Sequence, residues 1–252
     1  MTLASATPTR IQLCGPTVID WHGVRLEGRL PGRQGRLLFA YLVLNRYRVV
    51  GRDELVDALW PRESPAATQA GLNALISKLR RTFGPGVIEG RSTLRLHLEP
   101  GCVVDVEAAV AAAHRAESRV VLGEWKAAWG PSLVALFTAE REFLPGEDLP
   151  WVNERRLEMA EVRLRALEAY AAAALGTGGT ELPAAVRAGR RLVRLVPLRE
   201  TGYQVLMRAL ADQGNVAEAL VVYSGLCSVL RDELGVYPSG STQAIYQGLL
   251  GE

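Results

Sequence analysis

The chain has 252 residues, 48% of them hydrophobic, 22% charged and 6% aromatic, which excludes a disordered, collagen-like or low-complexity protein and leaves room for two domains. Its formal net charge of +2 is a sum of opposites: residues 1–104 carry 14 Lys and Arg against 8 Asp and Glu, net +6, and residues 105–252 carry 15 against 19, net −4. No apolar run approaches the roughly 18 residues of a membrane span, and Met1 to Arg10 lacks the pattern of a signal peptide, so no membrane is expected and the cytoplasm is the default compartment.

Arg10 to Leu30 reads as short strands, with Ile11, Leu13, Val18, Ile19 and Trp21 punctuated by Gly15-Pro16 and His22-Gly23, so a small antiparallel sheet opens the fold. Gln34 to Leu44 is too long and leucine-rich for one strand and predicts a buried helix. Gly51 and Glu54 then stand where a cap and half of a capping box belong, before a helix whose face of Leu55, Val56, Leu59 and Trp60 is ended by Pro61. Ser64-Pro65 is an N-cap and first-turn pair for a third helix, stopped by Gly84-Pro85-Gly86. Leu72, Leu75, Ile76 and Leu79 recur along it at helical spacing, which leaves Ala70, Asn73, Ala74, Ser77, Lys78 and Arg81 on the opposite face, without a carboxylate. Val87-Ile88-Glu89 and Thr93 to Leu98 alternate around Gly90-Arg91-Ser92, predicting a hairpin with Arg91 at or near its tip. Strands, three helices and a hairpin make residues 1–104 a winged helix-turn-helix domain.

From Asp105, an expected N-cap, the chain turns helical. The pattern predicts helices over Val106 to Leu122, Glu124 to Arg141 with a break at Gly130-Pro131, Trp151 to Leu175, Pro183 to Val196, Arg199 to Gln213, Val216 to Leu234 and Thr242 to Leu250. Phe143 to Pro150, with the turn signal Pro145-Gly146, is expected to cross the surface as an ordered connection. An echo at a spacing of 35, Ala174/Ala209, Gly179/Gly214 and Ala184/Ala219, makes residues 105–252 look like stacked helix pairs of the tetratricopeptide kind. The fold class is therefore mainly α: a winged helix with small sheets, then an all-α helical-repeat domain.

Signals for catalysis are weak. Gly176-Thr-Gly-Gly179 lacks the Lys-Ser/Thr of a phosphate loop and reads as a helix stop. His22, His97 and His114 lie far apart, and the single cysteines Cys14, Cys102 and Cys227 read as reduced thiols rather than a metal or disulfide set. Carboxylates at Glu140, Glu142, Glu147 and Asp148 read as a solvated cluster. No enzyme, metal or cofactor is expected. The third helix instead offers what DNA needs, since an α-helix fits the major groove. Asn73 suits an adenine edge, Ser77 is a versatile short partner, Lys78 and Arg81 take guanine or phosphate, and Ala70 and Ala74 permit close approach. Arg91 reaches a minor groove or phosphate from the wing, and Arg33 and Gln34 stand at the first helix N-terminus, where amide dipoles favour phosphate. Thr68, Gln69 and Arg80, also on the third helix, complete the candidate set.

Several stretches together are specific: Arg33-Gln-Gly-Arg-Leu-Leu-Phe-Ala-Tyr-Leu42, Arg52-Asp-Glu-Leu-Val-Asp-Ala-Leu-Trp-Pro61 and Ala74-Leu-Ile-Ser-Lys-Leu-Arg-Arg81. Phe143-Leu-Pro-Gly-Glu147 with Pro150-Trp151, Pro197-Leu-Arg-Glu200, Gly214 to Tyr223, and Leu230 to Gly235 with Pro238 add to them. Over nearly its whole length the chain resembles actinobacterial antibiotic-regulatory-protein (SARP-type) transcription regulators, which join a response-regulator-type winged helix to a bacterial transcriptional activation domain. The resemblance implies an activator without enzymatic activity, acting as a homodimer or tandem pair on direct repeats in double-stranded promoter DNA. It also implies that the loop Pro61-Arg-Glu-Ser-Pro65 and the activation domain approach RNA polymerase. Two positions depart from the family pattern: Gly51 stands where Ser is frequent, and Ser92-Thr-Leu-Arg-Leu96 stands where many wings carry Gly-Tyr-Arg-Leu. The alternative class is a protein-interaction or ligand-sensing adaptor whose winged helix does not bind DNA.

Overall fold

Burial of Ile11, Leu13 and Ile19 at 2% exposure or less sets the first sheet, because alternate side chains of its strands point into one core. In the computed structural model, which describes residues 8–62 and 65–251, β1 (Arg10–Gln12) pairs antiparallel with β2 (Val18–Trp21), Ile11 opposite Ile19. Strand β2 pairs in turn with β3 (Val24–Arg25). Three helices follow, α1 (Gly32–Leu44), α2 (Arg52–Leu59) and α3 (Pro65–Phe83). Phe39 of α1 stacks on Phe83 of α3 with ring centroids 4.6 Å apart, and Trp21 tilts against the same ring at 4.9 Å. The expected cap Ser64 lies outside the described residues, as does Glu63 of the loop before it.

Strands β4 (Val50–Gly51), β5 (Ile88–Glu89) and β6 (Thr93–Leu96) form a second sheet in the order β4-β6-β5. The wing is its β5–β6 hairpin. At the wing turn Gly90 has φ +96, and a Cβ there would stand 1.9 Å from the Thr93 carbonyl oxygen, so only glycine fits. A strand that the periodicity does not show, β7 (Val103–Val104), runs parallel to β1 and completes the first sheet in the order β3-β2-β1-β7.

The chain divides into two compact units, Met1–Ala108 with Arg141–Met159, and Ala109–Glu140 with Ala160–Glu252. The segment from Phe143 is no simple surface connection. Phe143, Leu144 and Leu149 are buried at 1%, 4% and 6% exposure, Cys14 bridges to Phe143, and the Leu144 N–H donates to the Leu13 carbonyl at 2.9 Å. The expected turn at Pro145-Gly146 forms at the surface, with the Glu147 N–H donating to the Leu144 carbonyl at 3.2 Å, while burial of the large apolar side chains on either side of it holds the segment to the first unit. The Trp151 indole N–H donates to the Ala58 carbonyl at 3.1 Å, so the segment braces the first unit on two sides. Asp105 heads α4 (Asp105–Val121), but its carboxylate turns back to the first sheet and accepts the N–H groups of Leu13 and Cys14, each at 2.9 Å.

The second unit is helical. Helix α5 (Trp125–Ala139) runs unbroken through Pro131, contrary to the expected break. Proline costs the helix the donor that would meet the Ala127 carbonyl, yet the helix continues past it, and beside it the Ser132 hydroxyl donates to the Trp129 carbonyl at 2.8 Å. Helix α6 (Pro150–Thr177), whose beginning belongs to the first unit, is followed by α7 (Leu182–Leu195), α8 (Glu200–Asp212), α9 (Val216–Leu234) and α10 (Gly240–Leu250). The echo at 35 residues has a structural meaning. Ala174, Ala184, Ala209 and Ala219 are buried in one cluster, and Gly179 and Gly214 both turn the chain with positive φ. Helices α7 and α8 approach closely because Gly189 and Gly202 carry no side chain: a Cβ on Gly202 would lie 2.7 Å from Leu192 Cβ.

Candidate nucleic-acid interface

Helix α3 presents two faces that follow its apolar spacing. Leu72, Ile76 and Leu79 are buried at 3% exposure or less, while Ala70, Asn73, Ala74, Ser77, Lys78 and Arg81 are exposed. Gln69 is half-buried. Thr68 is buried at 3% exposure because it precedes Leu72 by one helical turn and shares its inward face, which takes it off the exposed candidate face.

Arg80 and Arg81 are neighbours in sequence but take different roles, since one helical step turns the side chain by about 100°. Arg81 is exposed. Arg80 is half-buried, and its guanidinium donates from Nε to the Ile88 carbonyl at 2.9 Å and from Nη2 to the Gly90 carbonyl at 2.5 Å. It fastens the wing to α3 instead of facing outward. Arg33, at the start of α1, pairs through Nε with Glu147 Oε2 at 2.6 Å. Gln34 is half-buried, and its Oε1 is enclosed without a hydrogen-bond partner among the described residues. Neither Arg33 nor Gln34 lines the groove described next.

Between α3 and the wing lies an open groove of about 750 Å³, lined by Arg52, Asn73, Ile76, Ser77, Arg80, Arg81, Gly84, Pro85 and Arg91. Among the described residues, four guanidinium groups and no carboxylate line it, so its potential is positive and its polar groups are mostly donors. Arg91 is exposed at the wing turn, as expected. Arg52, the first residue of α2, is the groove-lining side chain that periodicity missed. Its Nη1 donates to the Arg91 carbonyl at 3.0 Å and its Nη2 to Asn73 Oδ1, linking α2, α3 and the wing. The signal available in the sequence was its place directly after the cap Gly51, where a helix start fixes the direction of the side chain.

The groups considered for catalysis are engaged elsewhere. Glu140 pairs with Arg191, Glu142 with Arg156 and Glu147 with Arg33, while Asp148 accepts from the Asn153 amide at 2.8 Å. Cys14, Cys102 and Cys227 are free thiols, and burial pushes Cys14 up to about 12 and Cys102 up to about 11, far from a reactive thiolate at neutral pH. Among the described residues no group of three His, Cys, Asp or Glu is placed to hold a metal ion, and no helix is long and apolar enough to cross a membrane.

A winged helix with a cationic groove, followed by stacked helix pairs, defines the class of transcription regulators. The family model described as bacterial transcriptional activator domain matches residues 104–250, and the model described as transcriptional regulatory protein, C terminal, matches residues 28–94. The chain belongs to the bacterial transcriptional activator domain family and carries the domain pair of SARP-type regulators. It is similar to the regulatory protein AfsR of Streptomyces coelicolor, 34% identical over 220 residues, covering 86% of this chain and 22% of AfsR. It is also similar to the transcriptional regulatory protein MoaR1 of Mycobacterium tuberculosis, 27% identical over 267 residues, covering 98% of this chain and 80% of MoaR1. The structure of Mycobacterium tuberculosis EmbR in complex with a low affinity phosphopeptide shares the fold, with a TM-score of 0.80 at 24% identity over 97% of this chain and 65% of that one. The chain spans 22% and 25% of the length of two AfsR proteins that it matches.

Proposed function

We propose that the chain is a sequence-specific DNA-binding activator without enzymatic activity. Residues 1–104 read double-stranded promoter DNA, and residues 105–252 mediate association. Helix α3 enters the major groove, with Asn73 and Ser77 at base edges and Lys78, Arg81 and Gln69 at base edges or phosphates. Arg91 extends the contact from the wing to phosphate or to an adjacent minor groove. Arg80 acts at one remove by holding the wing, and Arg33 and Gln34 belong to the outer edge of the contact. Thr68 supports α3 from within.

The observation that carries this reading is the carboxylate-free groove between α3 and the wing, with its four arginines. Phosphate contacts of this kind supply most non-specific affinity and fix the register in which base edges are read. The proposal includes two protomers on direct repeats, with the loop between the second and third helices and the helical module meeting RNA polymerase. The proposal is tested by selecting bound duplexes from a random pool with the whole chain at low salt. A consensus arranged as direct repeats is expected. An unenriched pool, together with a protein or metabolite that co-purifies with the chain, would instead establish the adaptor alternative.

A further inference from the structure

We propose that Arg52 sets how Asn73 reads a base, so that α3 selects guanine over adenine at the Asn73 position. The inference rests on the DNA-reading role given above and adds a residue and a base preference to it. Arg52 is half-buried between α2, α3 and the wing. Its Nη2 donates to Asn73 Oδ1 while its Nη1 is held by the Arg91 carbonyl at 3.0 Å. A guanidinium has donors only, so the amide atom turned toward it is the oxygen, and the Asn73 NH2 group points away.

Asparagine recognises adenine by using both ends of its amide: the oxygen accepts from N6 and the NH2 donates to N7. Here the oxygen is engaged by a cation. Its remaining lone pair lies beside that positive charge, which repels an incoming amino donor. The outward NH2 and the free N–H groups of Arg52 together form a donor surface, and guanine presents two acceptors, O6 and N7, in the major groove. Among the described residues no carboxylate lines the groove to draw the guanidinium away. An asparagine that suits adenine in isolation is therefore converted by its neighbour into a reader of acceptors. Arg52 is a positioning residue in this account.

The test is a random-pool selection with the whole chain, run in parallel on the unaltered protein, Asn73→Ala, Arg52→Ala and Arg52→Met. The base pair whose preference disappears in Asn73→Ala marks the Asn73 position. The unaltered protein is expected to favour guanine over adenine there by about tenfold. Both Arg52 variants are expected to move that ratio toward adenine by about the same factor, with preferences at other positions kept. An adenine preference in the unaltered protein overturns the inference. So does an unchanged guanine-to-adenine ratio in Arg52 variants that merely bind more weakly, as a structural or phosphate-contact role requires. If Asn73→Ala erases no preference while a consensus persists, the inference fails and the DNA-reading function stands. If no consensus forms with the unaltered protein, the DNA reading itself fails. Arg52→Met keeps the apolar stem if Arg52→Ala does not fold, and the base preference of the unaltered protein decides the matter if neither variant does.

Discussion

Arg80 donates to the Ile88 carbonyl at 2.9 Å, which ties α3 to the first strand of the wing. With the second bond from Arg80 to Gly90, the guanidinium satisfies carbonyls on both sides of Glu89, close to the turn where Arg91 is presented. Arg80→Ala removes both charge-assisted bonds and is expected to cost about 1 to 3 kcal/mol, allowing for partial exposure. Lys78→Ala, two residues earlier on the exposed face, is expected to stay within about 0.5 kcal/mol. Urea unfolding of the two variants separates a wing anchor from a surface cation.

Arg91 is exposed at the groove edge, and the contact proposed for it, with phosphate, does not depend on base identity. Arg91→Ala is expected to weaken binding to selected and random duplexes by similar factors and to reduce the slope of log K against log salt by about one. Titrations at a series of salt concentrations measure it. An unchanged slope would remove Arg91 from the phosphate contacts.

The apolar spacing of α3 was legible in the sequence because amphipathicity is local: Leu72, Ile76 and Leu79 are buried and the opposite positions are exposed. The paired alanines and glycines of the helical repeat were legible for the same reason, since each helix pair needs small residues at equivalent points. Strand β7 was not, because two residues pairing parallel to a strand some ninety residues away leave no local pattern. The turn at Pro145-Gly146 was legible because Pro and Gly signal it locally, but the burial of Phe143 and Leu144 in the first unit was not, since their partners lie far away in sequence. The roles of Arg52 and Arg80 escaped a reading by periodicity because a long cationic side chain is defined by the carbonyl or amide oxygen that it meets.

Asp105 is half-buried, and desolvation raises its carboxyl above the ordinary aspartate value of 3.8 despite three backbone N–H donors. The folded chain therefore holds this proton more tightly than the unfolded chain does. The corresponding contribution to stability is full below 3.8 and is lost as pH rises through the folded value. Asp105→Ala leaves the Leu13 and Cys14 N–H groups without acceptors and is expected to cost about 2 to 4 kcal/mol at neutral pH. That cost should grow as pH falls from 7 toward 4. The pairs that hold Glu54 and Glu117 below the ordinary carboxylate range, led by Arg48 and Arg165, act with the opposite sign but are common to both proteins and cancel in the difference. Urea midpoints of the two proteins across this pH range test the sign, and a cost that shrinks on acidification would contradict it.

Gly202 and Gly225 both lie within helices but make opposite predictions. A Cβ on Gly202 would meet Leu192 Cβ at 2.7 Å and the Val193 nitrogen at 3.2 Å, whereas one on Gly225 would meet nothing within 4 Å. Gly202→Ala is expected to destabilise the helical unit by about 1 to 3 kcal/mol through overpacking. Gly225→Ala is expected to stabilise it by about 0.5 to 1 kcal/mol, through the better helix propensity of alanine. Thermal unfolding followed by circular dichroism distinguishes the two.

The central claim is that α3 and the wing read a DNA sequence. Equilibrium binding of the whole chain to a selected duplex and to a scrambled duplex of the same composition, at one near-physiological salt concentration, tests it most directly. The account predicts that the selected duplex binds at least about a thousandfold more tightly, and that Asn73→Ala loses more affinity for it than for the scrambled one. Equal affinity of the unaltered chain for the two duplexes would contradict the account.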